Sequence, residues 1–108
     1  MKILLTGATG YIGKRLLPHL LELGHHVVCL VRDKNRFSPP TSLREKISII
    51  EGDLLDSSSL SEIPSDIDAA YYLVHSMNYH DNYFELESQC AINFRNQLKQ
   101  TKVKHLIY

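Results

Sequence analysis

Three glycines spaced three residues apart follow directly after the first hydrophobic run of the chain, in the opening segment MKILLTGATGYIG. The run itself, Lys2–Thr6, is typical of a short buried strand, and the residues after the glycines have helical apolar spacing. A tight turn from strand to helix favours Gly7, and Gly10 lets the backbone approach a ligand with no Cβ between them. Gly13 is expected to let the helix lie close on the sheet. Amide donors at the helix N-terminus then predict a site for a phosphate or a pyrophosphate.

Strands and helical segments alternate along the rest of the chain. The sequence predicts further strands at His26–Val31, Lys46–Ile50, Ile67–Val74 and Val103–Tyr108, helices at Tyr11–Leu23 and Asn82–Lys102, and at most a short helix at Ser57–Glu62. This alternation predicts an α/β fold with a doubly wound parallel sheet of strand order 3-2-1-4-5. At 108 residues the chain has the size of one domain, residues 1–108. Because no helix follows to cover the fifth strand, we expect the N-terminal part of a longer protein.

The predicted topology also indicates where a ligand would bind. In such a sheet, ligands bind beyond the carboxyl ends of the strands, at the point where the strand order reverses. That point lies between the first and fourth strands, so the glycine turn and the segment after Val74 are predicted to be neighbours. The helices are predicted to pack on the sheet through apolar stripes, which comprise Ile12, Leu16, Leu20 and Leu23 in the first helix and Leu86, Cys90, Phe94 and Leu98 in the last.

Composition excludes several classes of function. The 12 basic and 12 acidic residues cancel, which argues against nucleic acid as a partner. No apolar run has the roughly 18 residues that a membrane helix needs, so no membrane partner is expected. Cys29 and Cys90 are far apart and are expected to be reduced, buried thiols of a cytoplasmic protein. His75, His80 and Asp81 lack the spacing of a zinc site, so no metal is expected.

The segment TGATGYIG resembles the T-G-x-x-G-x-x-G fingerprint of the extended and atypical short-chain dehydrogenases/reductases, a Rossmann superfamily that binds NAD or NADP. The resemblance continues through GHHVVCLVRD, EGDL, AYYLVHSM and AINFRNQLKQTKVKHLIY, which fall where that family has its second to fifth strands. YYLVHSM is similar to the NmrA-like atypical subgroup, often described as nucleoside-diphosphate-sugar epimerase-like. The resemblance implies hydride transfer at a carbonyl of an unknown small-molecule substrate, or a sugar-nucleotide epimerase or dehydratase step that borrows the hydride. The alternative is a regulator or assembly factor that senses the dinucleotide without turnover. A third possibility is that the exposed sheet edge forms a homodimer and the nucleotide is structural.

The resemblance also implies which residues contact the dinucleotide. The turn and the start of the first helix would hold the pyrophosphate through Gly7, Thr9, Gly10, Tyr11, Ile12 and Gly13. Asp53 and Leu54 would meet the adenine, although an aspartate that only forms a turn is the alternative. The end of the fourth strand, with Leu73, Val74 and His75, would lie near the adenosine ribose and the nicotinamide.

One further position of the resemblance lies in the last helix. Asn93 matches the asparagine of the family's N-V-x-G helix motif, which supports the active site. Phe94 and Asn96 replace the valine and the glycine of that motif, so the sequence departs from the family there.

The choice between NADP and NAD depends on the end of the second strand. NAD sites usually have a carboxylate there, and in this chain that position is Val31, followed by Arg32. A guanidinium binds a 2′-phosphate that a carboxylate would repel, so the sequence favours NADP. The alternative is a solvated Arg32 with Asp33 turned back toward the ribose of NAD.

The catalytic residues are not identified by the sequence. Short-chain reductases use a Tyr-x-x-x-Lys pair for proton transfer, and no tyrosine of this chain has a lysine four residues later. The prediction is therefore a cofactor-binding unit whose substrate and catalytic groups are unassigned.

Overall fold

The five strands form one parallel sheet of order β3-β2-β1-β4-β5, as predicted. The computed structural model describes residues 1–38, 46–73 and 83–107. The strand bounds are β1 Lys2–Thr6, β2 His26–Val31, β3 Ile47–Glu51, β4 Ala69–Tyr72 and β5 His105–Ile107. β3 begins one residue later than predicted, and β4 and β5 begin two residues later, because a strand extends only as far as its neighbour pairs with it. The predicted strand ends at Val74 and Tyr108 lie outside the described residues.

Two α-helices cover opposite faces of the sheet. α1 is Tyr11–Glu22 and α2 is Tyr83–Leu98. The buried side chains form two hydrophobic core clusters, one between the sheet and α2 and the other between the sheet and α1. Because successive strand residues point to opposite faces, Leu4 and Val28 pack in the α2 cluster, and Leu5 and Val27 pack in the α1 cluster. Short 3₁₀ helices occupy Lys34–Arg36 and Ser57–Glu62. The predicted short helix at Ser57–Glu62 is thus confirmed.

Of the four residues predicted in the apolar stripe of α2, Cys90, Phe94 and Leu98 are buried and Leu86 is half-buried. The apolar stripe of α1 is rotated from the predicted one. In α1 the buried residues are Gly13, Leu17, Leu20 and Leu21. Ile12 and Leu23 were predicted in that stripe but are 57% and 72% exposed. The rotation follows from Gly13, which must face the preceding turn because a side chain there would overlap the turn backbone.

The amino ends of the strands are tied together by Asp68. Its carboxylate accepts the Lys2 backbone N–H at 2.8 Å and pairs with the Lys102 ammonium at 3.1 Å. These two contacts, the Lys2 hydrogen bond first, lower the pKa of the Asp68 carboxyl below its usual value. This anchor lies at the edge of the sheet opposite to the glycine turn, so it serves the fold.

Cys29 and Cys90 are both buried, and no disulfide bond joins them. Burial of Cys29 raises the pKa of its thiol to about 12. None of the described helices is both long enough and apolar enough to cross a membrane.

Candidate functional site

The carboxyl ends of four strands lie side by side at one edge of the sheet. In the parallel register, Thr6 of β1 pairs with Leu30 of β2 and with Tyr72 of β4. Val31 pairs with Glu51 of β3. The glycine turn therefore begins between the segments that follow β2 and β4, at the predicted reversal of strand order.

The turn from β1 into α1 is closed by backbone contacts that need glycine. Gly7 has a φ of +77°, and a Cβ there would lie 2.8 Å from the carbonyl oxygen of Leu73. The N–H of Gly10 donates to the carbonyl of Gly7 at 3.0 Å, and the carbonyl of Gly10 accepts the N–H of Lys14 at 2.9 Å. Gly7 thus lets the turn rest against the end of β4.

Gly13 faces this turn from the first turn of α1. A Cβ at Gly13 would lie 2.8 Å from the carbonyl carbon of Gly7 and 2.9 Å from the Cα of Ala8. The sequence predicted a close approach at Gly13, and the structure identifies its partner as the turn backbone. Helix and turn therefore pack as one unit.

The N-terminus of α1 presents unpaired donors at this edge. The first amides of a helix have no intrahelical acceptor, and Gly10 supplies no side-chain cap. No acidic residue lies in the first turn of α1. Tyr11 is 72% exposed, and the Arg15 guanidinium lies 4.4 Å from the centre of its ring. Amide donors, the helix dipole and a nearby cation together favour an anion here.

Thr6 is a residue of this edge that the sequence reasoning missed. It is fully buried, and its hydroxyl donates to the carbonyl of Tyr71 at 2.8 Å. The same oxygen accepts the N–H of Leu73 at 3.3 Å. Thr6 therefore joins the last residue of β1 to the end of β4. A lone hydroxyl at the end of a buried apolar strand was the signal that could have identified it.

The segment after β2 is held by carboxylates. The carboxylate of Glu51 accepts the N–H of Lys34 at 3.0 Å. Asp33 accepts the N–H of Asn35 at 3.0 Å and so caps the 3₁₀ helix. Arg32 is exposed, and among the described residues its guanidinium has no hydrogen-bond or ion-pair partner.

The predicted adenine residues lie in the segment after β3. Asp53 is half-buried, and its Oδ1 accepts the N–H of Leu55 at 3.0 Å. Leu54 is 7% exposed and packs in the core beneath α2. Asn93 is also 7% exposed, and its Nδ2 donates to the carbonyl of Leu54 at 2.7 Å. The Oδ1 of Asn93 accepts from Gln89 at 2.8 Å, so both ends of its amide are bound within the protein.

The end of β4 is described only as far as Leu73, which is half-buried beside Gly7. Val74 and His75, two further predicted cofactor residues, lie outside the described residues. Thr9 and Ile12, predicted with the turn, are both exposed at this edge. Within the described ranges, no three potential metal-ligating side chains cluster.

Residues 7–108 match the model of the NAD(P)H-binding family. A phenylcoumaran benzylic ether reductase of Pinus taeda is 34% identical over 98 residues, which cover 84% of this chain and 30% of that relative. An uncharacterized protein of Saccharomyces cerevisiae is 31% identical over 101 residues, 92% of this chain and 34% of the relative.

Solved structures share the fold. The crystal structure of a nucleoside-diphosphate-sugar epimerase from Staphylococcus aureus superposes with a TM-score of 0.76 at 26% identity, over 98% of this chain and 36% of that chain. The chain spans about a third of the length of these relatives.

Proposed function

The chain belongs to the NAD(P)H-binding family, and from that premise we propose that it binds NADP in preference to NAD and serves a hydride-transfer reaction on a small-molecule substrate. The observation that carries the proposal is the turn Gly7–Gly13. Its backbone leaves the amides of the α1 N-terminus open at the reversal of strand order. A pyrophosphate matches those donors in charge and in hydrogen bonding.

The cofactor contacts follow from the same edge. The amides of Thr9, Tyr11, Ile12 and Gly13 would bind the pyrophosphate, whereas the Gly10 N–H already donates to the carbonyl of Gly7 within the turn. Asp53 and Leu54 would meet the adenine. Leu73, with Val74 and His75 beyond it, would flank the nicotinamide half. For Asn93 the hydrogen bond to Leu54 supports an indirect role, since its amide is already bound.

The preference for NADP rests on two side chains after β2. Arg32 is exposed, and its guanidinium has no partner among the described residues, so it is available for a 2′-phosphate. The Asp33 carboxylate accepts the N–H of Asn35 in its own 3₁₀ helix. This hydrogen bond disfavours the contact with the ribose hydroxyls that an NAD site would require of Asp33.

The proposed chemistry rests on the relatives. A reductase and a nucleoside-diphosphate-sugar epimerase are among the proteins similar to this chain. A bound nicotinamide supplies hydride exchange, and this chain's described residues would bind and orient it. A regulator that only senses the dinucleotide would use the same contacts, so turnover of nicotinamide distinguishes the two functions.

The experiment is a titration of the purified protein with NADPH and NADH, followed by cofactor fluorescence. We expect NADPH to bind more tightly, and Arg32→Asp to reduce the NADPH-to-NADH affinity ratio by about tenfold to 100-fold, the value of a charge-assisted hydrogen-bonded pair. Arg95→Asp makes the same charge change on the exposed last turn of α2 and should leave the ratio unchanged. Binding of neither nucleotide would overturn the proposed function. An unchanged ratio in Arg32→Asp would remove Arg32 from the site.

A further inference from the structure

The segment after β3, Gly52–Ser59, is unusually well fixed for a connection at a sheet edge. We call it the β3 loop. Gly52 continues the ladder by donating to the carbonyl of Val31 at 2.9 Å. Further along, the N–H of Asp56 donates to the carbonyl of Asp53 at 2.9 Å. A Cβ on Gly52 would lie 3.1 Å from the carbonyl oxygen of Ser59, so the two ends of the loop nearly touch.

The hydroxyl of Ser59 is the centre of the β3 loop. It accepts the N–H of Asp53 at 2.9 Å. It also lies 2.9 Å from the carbonyl oxygen of Asp53 and 2.7 Å from that of Asp56, and its single proton is donated to these acceptors. One side chain therefore holds both backbone polar groups of Asp53.

A second side chain holds the next residue from the opposite side. Asn93 of α2 donates to the carbonyl of Leu54 at 2.7 Å, and Gln89 orients its amide by donating to Asn93 Oδ1. The backbone of Asp53 and Leu54 is thus fixed by Ser59 within the loop and by Asn93 from the helix.

The group that this arrangement fixes is the Asp53 carboxylate. Its Oδ1 accepts the N–H of Leu55. Its Oδ2 has no hydrogen-bond partner among the described residues, and Asp53 is only half-buried. A carboxylate oxygen with its backbone fixed in this way is a directed acceptor for an exocyclic amino group.

We propose that Ser59 is a positioning residue for adenine recognition: its hydroxyl fixes the Asp53 backbone so that Oδ2 accepts the 6-amino group of the base, with Asn93 supporting Leu54 from α2. The inference rests on the proposed function and adds a device that distinguishes adenine from other purines. A hypoxanthine base has a carbonyl in place of the amino group, and that oxygen would face the carboxylate without a proton between them.

The test compares NADPH with reduced nicotinamide hypoxanthine dinucleotide phosphate. We expect the unaltered protein to bind NADPH about tenfold more tightly than the hypoxanthine analogue, the value of one hydrogen bond to a charged group. Ser59→Ala should bring this ratio to within about twofold, because the directed acceptor is lost. A purely structural serine would change the stability and leave the ratio intact.

Matched variants complete the design. Ser61→Ala removes an exposed hydroxyl from the same 3₁₀ helix and should keep the ratio. Ser59→Cys retains the shape of the side chain with only a weak donor, and it provides the measurement if Ser59→Ala does not fold. For the second contact, Asn93→Ala should lower the ratio and Asn96→Ala, exposed on the same helix, should not.

Each outcome is separable from failure of the proposed function. A folded Ser59 variant that keeps the full ratio overturns the positioning role. Tight binding of both nucleotides by the unaltered protein, with no discrimination, also overturns it while leaving dinucleotide binding in place. Binding of neither nucleotide overturns the proposed function, and the inference with it.

Discussion

Gly13→Ala places one methyl group between α1 and the turn before it. The added Cβ would overlap the carbonyl oxygen of Gly7, and it would lie 2.8 Å from the carbonyl carbon of Gly7 and 2.9 Å from the Cα of Ala8. Carbon atoms in ordinary contact are about 3.5 Å apart, so the helix and the turn must separate by at least about 0.7 Å. All three neighbours are backbone atoms, so no rotation of a side chain can relieve the overlap.

The separation has a calculable effect on stability and on binding. It would stretch the 3.0 Å bond from Gly10 to Gly7 beyond hydrogen-bonding distance. Overpacking costs about 1–3 kcal/mol and the lost bond about 1 kcal/mol, so the free energy of unfolding should fall by about 2–4 kcal/mol. If two amide contacts to phosphate are displaced, the affinity for the dinucleotide should fall at least about 100-fold.

Urea denaturation and NADPH titration measure the two effects, and two other glycines serve as controls. Gly24 has a φ of +87°, and a Cβ added there would have no described atom within 4 Å. Gly24→Ala should therefore lower the free energy of unfolding by about 1–2 kcal/mol, because of the left-handed backbone, and leave the NADPH affinity unchanged. A Cβ at Gly10 would have only the Gly7 oxygen within 4 Å among the described atoms, at 3.3 Å. Gly10→Ala should therefore have little effect on the free energy of unfolding and reduce the NADPH affinity more, because the methyl group stands where the backbone approaches the ligand. A Gly13→Ala protein with unchanged denaturation midpoint and unchanged affinity would refute the reasoning.

Two further perturbations test the strands beneath the site. Thr6→Val keeps the shape of the side chain but removes its hydrogen bonds to the Tyr71 carbonyl and the Leu73 N–H, so the free energy of unfolding in urea should fall by about 1–3 kcal/mol. Thr6→Ser should recover most of this loss, and equal stability of all three proteins would contradict the bridging role. Burial raises the pKa of the Cys29 thiol from 9.0 to about 12, so above pH 9 the folded state keeps a proton that the unfolded state loses. The stability that the Cys29 thiol contributes is therefore complete below pH 9 and is lost between pH 9 and about 12. Urea denaturation across this range should therefore show a steeper decline for the unaltered protein than for Cys29→Val, and parallel curves would show that the thiol is not shielded.

The sheet order and the place of the glycine turn were predictable because they depend on local signals. Alternating strands and helices define the crossovers, and the position of the glycine pattern between β1 and α1 puts the turn at the reversal of strand order. Strand ends were less predictable, since they depend on a neighbour. β5 begins at His105 because its partner in β4 begins at Ala69. The face of α1 was assigned from apolar spacing alone, and Ile12 was misplaced because spacing does not reveal that Gly13 must meet the turn.

The side chains that fix the site were the least predictable. Thr6 bonds to residues 65 and 67 positions away, and Asn93 bonds to a carbonyl 39 positions away. Such bonds join a side chain to a backbone group whose position is defined only by the tertiary fold. No spacing rule in the sequence encodes them. The resemblance suggested a role for Asn93, yet the carbonyl that it holds could be identified only in the structure.

The two ends of the proposed site are therefore built by different means. The phosphate end consists of backbone amides and of glycines whose missing side chains allow the turn to close, so a side chain at Gly7 or Gly13 would disturb the fold as well as the ligand. The proposed adenine end depends on the side chains of Ser59 and Asn93, which hydrogen-bond the backbone of Asp53 and Leu54 and lie outside the strands. Arg32 differs from both, because it is exposed and packs on neither core cluster. The proposed preference for a 2′-phosphate rests on this exposed side chain, so we expect substitutions of Arg32 to change the choice between NADP and NAD without a change in the glycine turn.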